Sequence, residues 1–82
     1  MTDAEILKEL HEIFHDVFDD DSIVLTPATT AKDIPEWDSF HHVSLIVGAE
    51  VRFGIKFQTA ELEALQNVGE MVVLIARKLA QK

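Results

Sequence analysis

Eighty-two residues, 48% of them hydrophobic, with no cysteine and a formal net charge of −8, allow one small domain and exclude disulfides, thiolate metal sites and disorder driven by low hydrophobicity. The negative charge disfavours nucleic acid and anionic membranes and favours basic partner surfaces. No apolar stretch approaches the roughly 20 residues of a membrane span, and the segment after Met1 is polar and acidic rather than a basic-then-apolar leader, so a cytoplasmic protein without membrane insertion is expected.

A first helix is expected over about residues 3–18. Thr2 and Glu5 have capping-box spacing. Ile6, Leu10, Ile13, Phe14, Val17 and Phe18 then recur three and four apart, as one stripe of an amphipathic helix. The run Asp19-Asp20-Asp21-Ser22 ends the pattern. Eight acids fall within residues 1–22 against Lys8 alone, whereas Arg77, Lys78 and Lys82 lie at the other end, where cations complement the last turn of a helix. Residues 19–37 form a long loop interrupted by Pro27 and Pro35, with Ile23, Val24, Leu25 and Ile34 available to fold back onto the helices.

A second helix is expected over about residues 39–53, stopped by Gly54. Its buried stripe reads His42, Leu45, Ile46, Ala49 and Phe53. A second line, Phe40, Ser44, Val47 and Val51, exceeds what one core face needs and reads as partly exposed for a partner. Ile55-Lys56-Phe57 alternates like a strand, but a lone strand is unstable, so it reads as an extended link. A short third helix over about residues 59–65 starts at Thr59 as N-cap, and a fourth over about 68–81 starts at Asn67 with Glu70 as its reciprocal cap. Met71, Val72, Ile75 and Leu79 form its core stripe. The expected fold is all-α: a single domain over residues 1–82, a four-helix bundle with one short helix and a long loop between helices one and two. A deep enclosed active site is hard to build in a chain of this size, and no enzymatic activity is expected.

Asp38-Ser39 is the first candidate site. A serine at a helix N-terminus faces unpaired N–H groups and the positive end of the helix dipole, a field that suits a phosphate. The same dipeptide is also an ordinary N-cap. The wider pattern carries more: Trp37-Asp38-Ser39-Phe40, then Val43, Leu45-Ile46, Glu50, Phe53-Gly54-Ile55-Lys56-Phe57 and Asn67-Val68-Gly69-Glu70. In this order and spacing the chain resembles the acyl carrier protein family over nearly its whole length.

The resemblance implies a carrier that holds acyl groups as thioesters on a 4′-phosphopantetheine arm, attached to Ser39 from coenzyme A and positioned with help from Asp38. It implies a phosphopantetheinyl transferase and acyl-loading and acyl-transferring enzymes as partners, in fatty acid, lipid or secondary-metabolite synthesis, and a monomeric carrier that visits them. It also implies docking along the second helix, at Phe40, His41, Ser44, Val47, Glu50 and Val51. Family members usually have acids on the first turns of this helix. Here His41 and Ser44 stand there, Val51 and Arg52 follow, and Glu50 alone keeps the type. Docking by apolar contact and a specialised carrier are the expectation. Asp-Ser-Phe also resembles D-alanyl carrier proteins, so an aminoacyl carrier is the alternative within the class.

Two readings come from other classes. His11-Glu12-Ile13-Phe14-His15 matches H-E-x-x-H, in which two histidines hold zinc and the glutamate is the general base; no third ligand stands out, and no metal is expected. His41-His42 offer a pH sensor or a metal-binding pair but read as helix-surface or half-buried histidines; the Asp19–Asp21 run reads as a solvated acidic loop, lacking the glycine and glutamate of a calcium loop. The remaining alternative is a helical interaction module that is never modified.

Overall fold

The Thr2 hydroxyl accepts from the Glu5 N–H at 3.2 Å, and the Glu5 carboxylate accepts from the Thr2 N–H at 2.8 Å. This closed capping box opens the first of four helices: α1 (Asp3–Phe18), α2 (Ser39–Phe53), α3 (Thr59–Glu63) and α4 (Val68–Ala80). The computed structural model describes residues 2–20 and 22–81. Met1, Asp21 and Lys82 lie outside the described residues, so the acidic run after α1 and the cationic C-terminal turn are described through Asp19, Asp20, Arg77 and Lys78. There is no strand among the described residues, and the fold is all-α.

The core follows from the apolar stripes. Ile6, Leu10, Ile13 and Phe14 of α1 meet Leu45, Ile46, Ala49 and Phe53 of α2 and Val68, Met71, Val72 and Ile75 of α4. Full burial of each large aliphatic side chain stabilises by about 1.5–3 kcal/mol before chain entropy is counted. Helix α1 packs against both α2 and α4. The Arg52 guanidinium adds an ionic clamp across α1 and α2, pairing with the carboxylates of both Glu9 and Glu12. Lys78 of α4 similarly holds Glu61 of α3 at 2.8 Å. Helix α2 ends where Gly54 enters the left-handed region, φ 66°, the conformation glycine adopts at least cost.

Several local features differ from the sequence expectation. Gln58, not Thr59, is the N-cap of α3, because the Glu61 carboxylate accepts from the Gln58 N–H at 2.8 Å. Helix α3 stops at Glu63 rather than near 65; the chain tightens there, with the Leu65 N–H on the Leu62 carbonyl. Asn67 accepts from the Glu70 N–H at 2.8 Å, a one-way cap rather than a reciprocal one, and α4 ends at Ala80. The loop contains a 3-10 turn, Ala31–Asp33. Ile55 is buried and Phe57 packs against the core in the extended link between α2 and α3.

The loop is built into the bundle. Leu25 and Ile34 are buried in the core, and the Thr29 hydroxyl, also buried, accepts from the Thr26 N–H. Two loop carbonyls serve the N-terminus of α4: Thr29 O accepts from the Val68 N–H at 2.9 Å and Pro27 O from the Gly69 N–H at 2.8 Å. With the Asn67 cap, three N–H groups that a helix start leaves orphaned gain acceptors. Further back, the Nε2–H groups of His11 and His15 both donate to the Ile23 carbonyl, at 2.7 and 3.1 Å. A carbonyl has two lone pairs and can take both.

Candidate functional site at the start of α2

The loop delivers Trp37, Asp38 and Ser39 to the first turn of α2. Trp37 is fixed first: its ring meets Phe14 edge-on at 5.2 Å between centroids, its N–H donates to the Ile34 carbonyl, and its indole N–H donates to His42 Nδ1. Asp38 is the N-cap, with Oδ1 accepting from the His41 N–H at 2.9 Å. The same oxygen takes a second bond from His41 Nδ1–H at 2.8 Å. These bonds hold the Asp38 carboxyl below the usual carboxylate range, the backbone N–H of His41 first and its ring second.

Ser39 is the first residue of the helix and is exposed. Its hydroxyl has no hydrogen-bond partner among the described residues. The N–H groups of Ser39 and Phe40 also lack acceptors there, since Asp38 serves only His41. A nucleophilic oxygen that nothing occupies, beside two free donors at the positive end of a 15-residue helix, suits a phosphodiester. A cavity of about 100 Å³ lies close by, between Trp37, His42, the loop at Thr30 and the α3–α4 turn at Leu65.

Comparison with known proteins fits this geometry. The "Acyl carrier protein" of Acidothermus cellulolyticus is 32% identical over 76 residues, covering 93% of this chain and 90% of that one. The chain belongs to the acyl carrier protein family. The "Meromycolate extension acyl carrier protein" of Mycolicibacterium smegmatis is 30% identical over 93% of this chain and 77% of its own length. A solution NMR structure of a holo acyl carrier protein from Geobacter metallireducens superposes with a TM-score of 0.88 at 53% identity, covering 93% of this chain and 87% of that one. No family model matches the chain. The family consists of carriers that bear 4′-phosphopantetheine, not of enzymes.

The structure sorts the other candidate residues. On α2, Phe40 (76% exposed), Val43, Val47 and Val51 (78%) form the outward apolar line. It therefore runs through Val43, outside the docking set expected from sequence, while Ser44, within that set, is half-buried. A strict count of α2 from Phe40 in steps of three and four already contains Val43. His42 is only half-buried, so the buried stripe of α2 begins at Leu45. Glu50 is half-buried and turned inward, its Oε2 accepting from the Phe57 N–H at 2.9 Å.

The zinc-peptidase alternative fails on geometry. His11 and His15 point Nε2–H at a carbonyl, and Glu12 is paired with Arg52. Among the described residues no group of three or more histidine and acidic side chains is placed to hold a metal. No helix of the described residues is long and apolar enough to cross a membrane.

Proposed function

We propose that Ser39 is the attachment point of the 4′-phosphopantetheine arm, on which this carrier holds acyl groups as thioesters. The observation that carries the reading is an exposed serine hydroxyl without a protein partner, at the capped start of α2, in a member of this family. In the loading reaction, catalysed by a phosphopantetheinyl transferase, the Ser39 oxygen attacks the pyrophosphate of coenzyme A. A P–O bond to Ser39 forms, the P–O bond within the pyrophosphate breaks, adenosine 3′,5′-bisphosphate leaves, and the serine proton passes to a base on the transferase. The arm supplies a thiol to a chain that has none. Asp38, ionised and one residue before the nucleophile, positions the reacting groups.

The docking surface in this reading is α2, centred on Phe40, Val47 and Val51 and extended by Val43, with His41, Ser44 and Glu50 at its edges. Acyl-loading and acyl-transferring enzymes of fatty acid, lipid or secondary-metabolite synthesis would meet this face. A free thiol is maintained in a reducing compartment, which supports a cytoplasmic location, and the carrier would move between enzymes as a monomer. The decisive experiment is mass spectrometry of intact protein after incubation with coenzyme A and a phosphopantetheinyl transferase. One added phosphopantetheinyl group on the wild type, and none on Ser39→Ala, is expected. An unmodified wild type, or a modified Ser39→Ala, overturns the reading.

A further inference from the structure

We propose that His41 is a positioning residue for the modification of Ser39, acting through Asp38; the proposal rests on Ser39 being the attachment point. An N-cap needs one bond, from the Asp38 carboxylate to the backbone N–H of His41, and that bond is present at 2.9 Å. The second bond to the same oxygen, from His41 Nδ1–H at 2.8 Å, adds nothing to the cap. What it fixes is the direction of the carboxylate, since two donors at different angles leave one orientation. It occupies Oδ1 and leaves Oδ2 as the oxygen open to an incoming transferase. The Asp38 side chain is 64% exposed, so that oxygen is reachable.

The imidazole is itself held. The Phe18 ring, from the last residue of α1, stacks on it at 4.8 Å with an interplanar angle of 16°. Phe40 meets it edge-on at 5.7 Å. Phe18 also contacts Trp37, at 6.4 Å. The end of α1 therefore orients the His41 ring, the ring orients the Asp38 carboxylate, and that carboxylate stands next to the nucleophile. Holding a polar group in its reacting direction before the substrate arrives lowers the barrier to the step that uses it. Without the ring, Asp38 still caps α2, but its carboxylate is oriented by the His41 backbone N–H alone.

Two measurements on His41→Leu and His41→Asn test this. The first is steady-state loading of Ser39 by a phosphopantetheinyl transferase with coenzyme A. The second is NMR titration of the Asp38 carboxyl in the unloaded protein. His41→Leu removes the ring donor and keeps the backbone N–H, so helix content by circular dichroism stays at the wild-type level. Its kcat for loading falls about fivefold, the scale of one lost exposed hydrogen bond, with little change in KM for coenzyme A. His41→Asn places an amide N–H near the position of Nδ1 and recovers most of the rate. The Asp38 carboxyl titrates higher in His41→Leu than in the wild type. Wild-type kinetics in His41→Leu, equal losses in both variants, or an unchanged Asp38 titration overturns the proposal. Failure of the wild type to load is instead the failure of the attachment reading, and it is told apart because the Asp38 titration reads the His41 contact with no arm present.

Discussion

The Trp37 indole N–H donates to Nδ1 of His42, 3.2 Å away. An indole nitrogen only donates, so Nδ1 is the acceptor and the imidazole proton lies on Nε2. The bond ties the end of the loop to α2 within three residues of Ser39. His42→Leu removes the acceptor and leaves the half-buried indole N–H without one. A loss of roughly 1 kcal/mol in urea-unfolding stability is expected, together with a shift in the emission of Trp37, the single tryptophan. An unchanged midpoint and unchanged emission would show that the bond holds nothing in place.

Gly69 and Gly48 should respond differently to alanine. A Cβ at Gly69 would lie 2.8 Å from the Pro27 carbonyl oxygen, a backbone atom that also accepts from the Gly69 N–H. Relief requires moving the loop off α4. Gly69→Ala should cost about 1–3 kcal/mol, as overpacking at a closed contact does. A Cβ at Gly48 meets only Ile13 Cγ2, at 3.1 Å, the end of a side chain that can shift, and alanine gains about 1 kcal/mol in helix propensity. Gly48→Ala should therefore be close to neutral. Thermal melts of the two variants side by side check the ranking; equal losses would contradict it.

Four carboxyls should make the fold sensitive to acid. Glu5, Asp20, Asp38 and Glu61 are all held below the usual range, chiefly by the Thr2 N–H, the Ser22 hydroxyl, the His41 N–H and the Lys78 ammonium respectively. Their folded-state values are lower than their unfolded ones, so the unfolded chain binds protons first. The stability they contribute is complete above the unfolded values, roughly pH 4, and is lost as pH falls through the folded values. Urea midpoints should hold near neutral pH and decline from about pH 5 downward. Glu61→Gln, which no longer titrates, should give a shallower decline, and an identical slope would remove Glu61 from the account.

Docking should depend on apolar contact more than on charge. The outward line of α2 is Phe40, Val43, Val47 and Val51. Its cation, Arg52, is paired with Glu9 and Glu12, and Glu50 is tied to the Phe57 N–H. Against a partner enzyme, Phe40→Ala should weaken binding by roughly tenfold, the scale of one interface anchor. Affinity of the wild type should change little with added salt, because few unpaired charges lie on this line. A steep loss of binding with salt, measured by calorimetry, would reject apolar docking.

Much of the architecture was legible in the chain itself. The stripe of α1, the Thr2–Glu5 box and the stop at Gly54 are local patterns, set by helix periodicity and by the acceptors and conformations that helix ends require. The same periodicity leaves Ser39 at the first position of α2, after a capping aspartate. Periodicity says which side chains share a face, not what that face meets. Val43 could be counted onto the outer line of α2, but its exposure depends on where α1 packs. The H-E-x-x-H spacing was visible, while its occupant, the Ile23 carbonyl 12 residues from His11, is placed only by the path of the loop. The inward turn of Glu50 to Phe57, the closure of Pro27 on Gly69 and the stacking of Phe18 on His41 arise in the same way. Sequence alone determined the four helices, the Thr2–Glu5 box, the stop at Gly54 and the serine at the head of α2. The tertiary structure decided the partners of each polar group, because a hydrogen bond between distant residues exists only once packing has brought donor and acceptor within about 3 Å.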